Sequence, residues 1–198
     1  MAHMSSPSSH ESTRRRLTDQ QAETVRRLTE AAREVLHEDG FEAMTVRMVA
    51  KRAGVAPATA YTYFSSKNHL VAELFWRMLV SSVPAPDPSL DITERAAVVL
   101  RDVALVVAGE EQLAGAVTVA LLGSDPDVAH LRIRVGGFIR ERLATALGLP
   151  VDTDDERVEL LEMLYSGALV RAGMGYQTYS DIADRLASAA KLLLEEHR

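Results

Sequence analysis

Residues 54–67 read GVAPATAYTYFSSK, and residues 45–53, directly before them, read TVRMVAKRA. The later stretch carries no charge until its last residue and is lined with Thr and Tyr hydroxyls. The earlier one is amphipathic at helical spacing, with Val46, Val49, Ala50 and Ala53 on one side and Arg47, Lys51 and Arg52 on the other. Thr45 stands where a capping hydroxyl meets a free backbone N–H. Gly54 closes the segment, because a left-handed residue costs glycine no steric penalty. Pro57 suits the first turn of a second helix, where its missing N–H is harmless. Ala60 and Phe64, four apart, give that helix an inner face; small Ala50 lets it cross closely, and Val55 plugs the corner. Two short helices joined by a tight turn, the second with a polar outer face, form the layout of a helix-turn-helix.

Outward from this centre every segment reads as helix. Thr18-Asp19-Gln20-Gln21 has the spacing of a capping box, and Val25, Leu28, Ala32, Val35 and Leu36 then form one apolar stripe that Gly40 ends. Phe41 and Met44 turn inward after it. Downstream, Ser65 or Ser66 caps a fourth helix carrying Leu70, Val71, Leu74, Phe75, Met78 and Leu79, broken by Pro84, Pro86 and Pro88. Five further helices are predicted: about 92–108, 110–122 and 126–148, one from a Thr153 cap to about 173, and one over about 180–196. No strand-like alternation and no repeat occurs. The expectation is an all-α protein of about nine helices, with a helix-turn-helix domain over 18–66 and a larger helical domain over 67–198. Residues 1–17 read as a disordered lead whose MAHM suits a cloning remnant.

Composition narrows the class. The chain has 198 residues, 47% hydrophobic and 25% charged, enough for a packed core in one or two domains. It has no Cys, so no disulfide framework and no thiolate chemistry; that fits a reducing cytoplasm, the expected location. The longest apolar run, 96–108, is too short to span a membrane and is interrupted by Arg101 and Asp102. Charge is unevenly placed. The net charge is −6, yet from residue 78 onward 19 acidic face 11 basic side chains, a balance of −8, which leaves +2 to residues 1–77. No Asp or Glu occurs over 45–72, and Arg14, Arg15 and Arg16 lie upstream. A basic patch on an acidic body is the footprint of local nucleic-acid contact. Enzyme signals are absent: His37, His69 and His130 have no partner at metal-binding spacing, no glycine loop cradles phosphate, and no serine sits in a nucleophile elbow. No catalytic residue, metal or cofactor is assigned.

The residues from about 25 to 79 resemble the tetracycline-repressor (TetR) family of bacterial transcriptional regulators. The resemblance rests on the capped first helix, Gly40-Phe41 after it, Thr45-Val46-Arg47, Ala53-Gly54-Val55 at the turn, Thr59-x-Tyr61-x-Tyr63-Phe64 and Ser66-Lys67. One departure is Ala58, where many members carry Gly; it bears on local contacts at the helix start rather than on the fold. Beyond residue 79 only the number and length of helices match. The resemblance implies three N-terminal helices that bind DNA and later helices that bind a small molecule and dimerise. It implies a base contact for Arg47, a recognition surface for Thr59 and Tyr63, phosphate contacts for Tyr61 and Lys67, and a phosphate-facing cap hydroxyl for Thr45. Arginine suits guanine through a bidentate pair, and a lysine at a helix start suits phosphate.

The second half carries apolar and polar side chains that suit a pocket between bundle helices: Val103, Val107, Thr118, Leu121, Arg134, Phe138, Tyr165 and Leu169. The last two helices mix small residues with leucines, and the resemblance implies that they pair with their copies into a dimer reading a palindromic double-stranded operator. The expected function is a repressor that releases DNA when a small, largely apolar effector binds. Two alternatives stay open from sequence: a regulator without an effector, and a helical ligand-binding protein that does not touch DNA.

Overall fold

Capping groups decide where the helices begin. A computed structural model describes residues 18–195; the expected disordered lead over 1–17, with its three arginines, lies outside them. Thr18 accepts from the Gln21 N–H while the Gln21 side chain accepts from the Thr18 N–H at 2.9 Å, and this reciprocal box starts α1 (Asp19–Ala43). Gly40, at φ 76°, breaks the regular path of α1 before its last residues. Thr45 caps α2 (Val46–Arg52), Pro57 opens α3 (Pro57–Tyr63), and of the two candidate serines Ser66 caps α4 (Lys67–Ser82). Asp91 and Asp125 cap α5 (Ile92–Leu105) and α7 (Pro126–Ala146), with α6 (Glu111–Leu122) between them.

One cap differs from expectation. α8 (Glu156–Gly173) is capped by Asp155, which accepts from the Arg157 N–H at 3.0 Å, whereas Thr153 accepts from the Asp155 N–H one step earlier. A carboxylate there also suits the positive end of the helix dipole. α9 (Tyr179–Glu195) completes an all-α fold of nine helices among the described residues.

The predicted stripe of α1 is buried in full, and Met44, Val46, Val49, Ala50, Ala60 and Phe64 close over it. Helices α1–α3 thus form a small head. In the body, α5 and α9 pack antiparallel along their lengths, as the Glu94–Lys191 pair at 2.6 Å and the Arg101–Asp184 pair at 2.9 Å record. α4 and α7 meet through aromatics: Trp76 lies edge-to-face on Phe138 with centroids 5.8 Å apart, the Arg134 guanidinium stands 4.6 Å from the Trp76 ring and that of Arg142 4.4 Å from Phe138. Residues 134, 138 and 142 are one helical turn apart, so α7 presents them as a ladder. α8 approaches α6 so closely that a Cβ on Gly173 would sit 2.7 Å from the Thr118 methyl.

Two polar contacts tie the head to α6 and α7. Arg33 of α1 pairs with Glu110, Nε donating to Oε2 at 3.0 Å. Ser66 accepts from the His69 N–H at 3.0 Å as the cap of α4 and donates its own proton to the carboxylate of Asp125, the cap of α7.

α4 also buries a carboxylate. Glu73 is 1% exposed and receives Arg77 Nε at 2.8 Å. Burial outweighs the attraction of Arg77 and Arg134 and pushes its carboxyl up to about 7. Because the folded value lies above the unfolded one, the stability tied to this group is complete below about pH 4.5 and is lost as pH rises through 7. Glu73→Gln is therefore expected to raise stability by about 2 kcal/mol more at pH 8 than at pH 5, read from urea midpoints at the two pH values.

Candidate nucleic-acid interface

The turn between α2 and α3 is braced from beneath. Gly54 has φ 63°, a conformation that favours glycine. The Gly54 and Val55 N–H groups donate to the Lys51 and Ala50 carbonyls at 3.2 and 2.9 Å. The Arg27 guanidinium of α1 donates to the Ala53 carbonyl and, at 3.3 Å, to that of Gly54. A Cβ on Gly54 would stand 3.1 Å from Arg27 Nη2, so side chain and brace compete for one space.

The outer face of α2 and α3 exposes Thr45, Arg47, Lys51, Thr59, Tyr61 and Thr62. The other basic side chains described in and next to the head have partners. Arg26 pairs with Glu23 and Glu30, Arg33 with Glu110, and Arg52 with Glu34 and Glu38. The hydrogen bond from Arg52 holds the Glu38 carboxyl below its ordinary value. Arg47 and Lys51 make no ion pair among the described residues. With Thr45, Met48 and Pro57 they line a shallow groove where α2 meets the start of α3. Thr45 accepts from the Met48 N–H at 3.1 Å, and its O–H is left to donate outward.

The predicted residues divide into two sets. Thr45 and Arg47 share that groove, while Thr59 and Tyr61 lie exposed on α3, Tyr61 by 52%. Tyr63 is half-buried against the core. Lys67 turns away from the face: its ammonium donates to the Phe41 and Glu42 carbonyls at 2.9 and 3.2 Å and stands 4.3 Å from the Phe41 ring. It closes the end of α1, where terminal carbonyls favour a cation. Lys51 is the candidate that sequence reasoning passed over. In sequence it is indistinguishable from Arg52; only the fold shows that Arg52 is engaged by α1 and Lys51 is not.

In the body, the eight residues expected to line a pocket are mostly packed. Val103, Val107, Phe138 and Tyr165 are buried, and burial raises the Tyr165 phenol above its ordinary value. Arg134 lies on Trp76, and Thr118 donates to the Ala114 carbonyl at 3.0 Å, 3.3 Å from the Tyr179 hydroxyl; Leu121 and Leu169 are half-buried. The large cavity, about 880 Å³, lies to one side, between Arg33, Leu36 and His37 of α1, the 107–115 segment and the α8–α9 turn. Of the eight, Val107 alone lines it, and Tyr179 stands between the cavity and Thr118.

Three comparisons bear on this arrangement. Residues 28–74 match the family described as bacterial regulatory proteins, tetR family. An uncharacterized HTH-type transcriptional regulator of Mycobacterium tuberculosis is 47% identical over 177 residues, covering 88% of this chain and 82% of that one. The HTH-type transcriptional repressor KstR of Rhodococcus jostii is 28% identical over 178 residues, covering 88% and 84%. Among solved structures, a TetR transcriptional regulator from Rhodococcus sp. RHA1 superposes with a TM-score of 0.71 at 25% identity, over 85% of this chain and 95% of that one.

The brace under the turn generates a test. Gly54→Ala forces a side chain into positive φ and against Arg27, and is expected to cost about 1–2 kcal/mol, measured as a lowered urea midpoint. Arg27→Ala in the same background is expected to relieve part of that loss by vacating the space.

Proposed function

The chain belongs to the tetR family of bacterial regulatory proteins and is a DNA-binding transcriptional regulator, and we propose that it is a repressor that grips its operator through α2 and α3 and releases it when a small molecule occupies the body. The observation that carries the reading is the sorting of basic groups. The structural arginines of the head are engaged with carboxylates or carbonyls, while Arg47 and Lys51 have no ion-pair partner among the described residues and stand on a hydroxyl-rich face. Arg47 reads a base edge in the major groove, where two parallel N–H bonds fit guanine. Thr59 contributes a hydroxyl and a methyl, and Thr45, Lys51 and Tyr61 hold phosphates to fix the register. Tyr63, half-buried, positions α3 as much as it touches DNA. Lys67 serves the phosphate backbone indirectly, by fixing the end of α1.

The protein works as a homodimer on a two-fold operator, its half-sites roughly 34–36 Å apart or a multiple of that spacing. The effector reading is supported by the cavity between α1, the α5–α6 connection and the α8–α9 turn, whose volume suits a drug-sized molecule. Its walls belong to both head and body, and Arg33–Glu110 lies in them, so occupancy biases the angle between the two. The lining mixes apolar and polar groups, which makes the effector amphipathic rather than largely apolar.

Selection of bound fragments from genomic DNA, followed by footprinting, identifies the operator. On it, Arg47→Ala is expected to lose about 1–3 kcal/mol, roughly ten- to a hundredfold in affinity, with discrimination relaxed at one base pair. Lys51→Ala is expected to weaken all sequences alike and to lower the slope of log affinity against log salt by about one. Unchanged affinity in both variants excludes this face.

A further inference from the structure

The groove between α2 and the opening of α3 has cationic edges and an apolar floor. Lys51 stands four residues after Arg47 and three after Met48, so one face of α2 carries all three. Thr45 caps α2 and Pro57 opens α3 beside them, and these five residues line a groove of about 410 Å³. Met48 is half-buried and packs against the hydrophobic core, which anchors the floor from beneath. At the start of α3, Ala56, Pro57 and Ala58 are all exposed. None of the three has a polar side chain, Pro57 has no N–H, and Ala56 gives α3 no side-chain cap. Ala58, where many members of the family carry Gly, adds one more methyl to this entry.

The edges suit an anion and the floor does not. A partner that fits is anionic at its margins and apolar at its centre. In the major groove of DNA, the 5-methyl of thymine is the one apolar group that a base pair presents, and rows of phosphates flank it. Guanine, adenine and cytosine present donors or acceptors at their edges, and Met48 and Pro57 would leave those without partners, since a thioether accepts only weakly.

We propose that this groove takes the 5-methyl group of a thymine, and that Met48 and Pro57 determine specificity through an apolar contact. The inference rests on the reading of α2 and α3 as the operator-binding face, and adds a second base to the one that Arg47 reads. Because Met48 follows Arg47 directly, the thymine lies within about two base pairs of that one, at roughly 3.4 Å per step.

Uracil in place of thymine removes this methyl and leaves the hydrogen-bonding edge unchanged. Each thymine of the duplex recovered by genomic selection is replaced by uracil in turn, and binding of the full-length protein is followed by fluorescence anisotropy. At least one position in each half-site, within about two base pairs of the pair relaxed by Arg47→Ala, is expected to lose roughly fourfold in affinity, the effect of one buried methyl. Met48→Gln keeps the length of the side chain and loses its apolar end; it is expected to bind the thymine and uracil duplexes equally at that position. Pro57→Ser, at an exposed site, is expected to narrow the same ratio and decides the matter if Met48→Gln fails to fold. Lys51→Ala is expected to weaken both duplexes and keep the ratio. A scan in which no thymine near that pair matters, or a methyl effect that Met48→Gln and Pro57→Ser both retain in full, overturns the proposal. A flat scan on a duplex that Arg47→Ala still weakens removes the groove alone; a protein that selects no duplex removes the operator reading and the groove together.

Discussion

The hydroxyl of Ser66 is one atom serving two helices. As an acceptor it satisfies the first turn of α4, and as a donor it holds Asp125, whose carboxylate caps α7. The next residue, Lys67, closes the carbonyl end of α1. Three helices, α1, α4 and α7, are thereby referenced to two adjacent residues, at the point where α3 has just ended. Helix termini leave unpaired backbone groups that must find partners, and here the partners are shared between termini. The two caps are tied to each other: moving α7 relative to α4 breaks the Ser66–Asp125 hydrogen bond while each helix keeps its own cap. The second joint, Arg33–Glu110, is an exposed pair and correspondingly weak.

The fold was legible because its signals are local. Caps, glycine stops and the i, i+3, i+4 stripe act within a few residues, so Thr18, Thr45, Ser66 and Gly40 announce helix boundaries without knowledge of tertiary structure. The error at Thr153 is of the same kind. Thr153 and Asp155 are both good caps two residues apart, and the choice fell to the carboxylate, which also holds Arg157. Trp76 was less legible. The stripe of α4 places it off the main apolar line, and its burial depends on Phe138 and Arg134, some sixty residues away.

The candidate interface was legible in residue type and only partly in role. Arg47 and Thr59 fall on the outer face by helical period alone. Whether a cation is spent on a neighbouring carboxylate depends on how α1 crosses α2, which no spacing reveals, so Lys51 and Arg52 looked alike. Lys67 shows the reverse: a lysine at a helix start suits phosphate, yet the carbonyls of α1 lie nearer. The pocket residues shared a further difficulty. Apolar side chains facing inward line a cavity or fill it according to helix separations, and in the body they fill it, leaving the open volume beside α1.

The uneven charge of the chain has a kinetic consequence. With −8 over residues 78–198 and +2 over residues 1–77, the charge of the chain is divided unequally between its two parts, and the acid-free stretch 45–72 is the most basic segment described. Near DNA the field acts on that uneven charge before any contact forms, within about one Debye length, ~8 Å at physiological salt. An approach that leads with the acidic part of the chain is opposed more strongly than one that leads with the acid-free stretch 45–72. The same repulsion limits how long the protein lingers on arbitrary sequence, because few basic groups oppose it. In the proposed reading, residence depends on the few contacts that Arg47 and its neighbours make at the operator, which favours brief, oriented touches over long sliding.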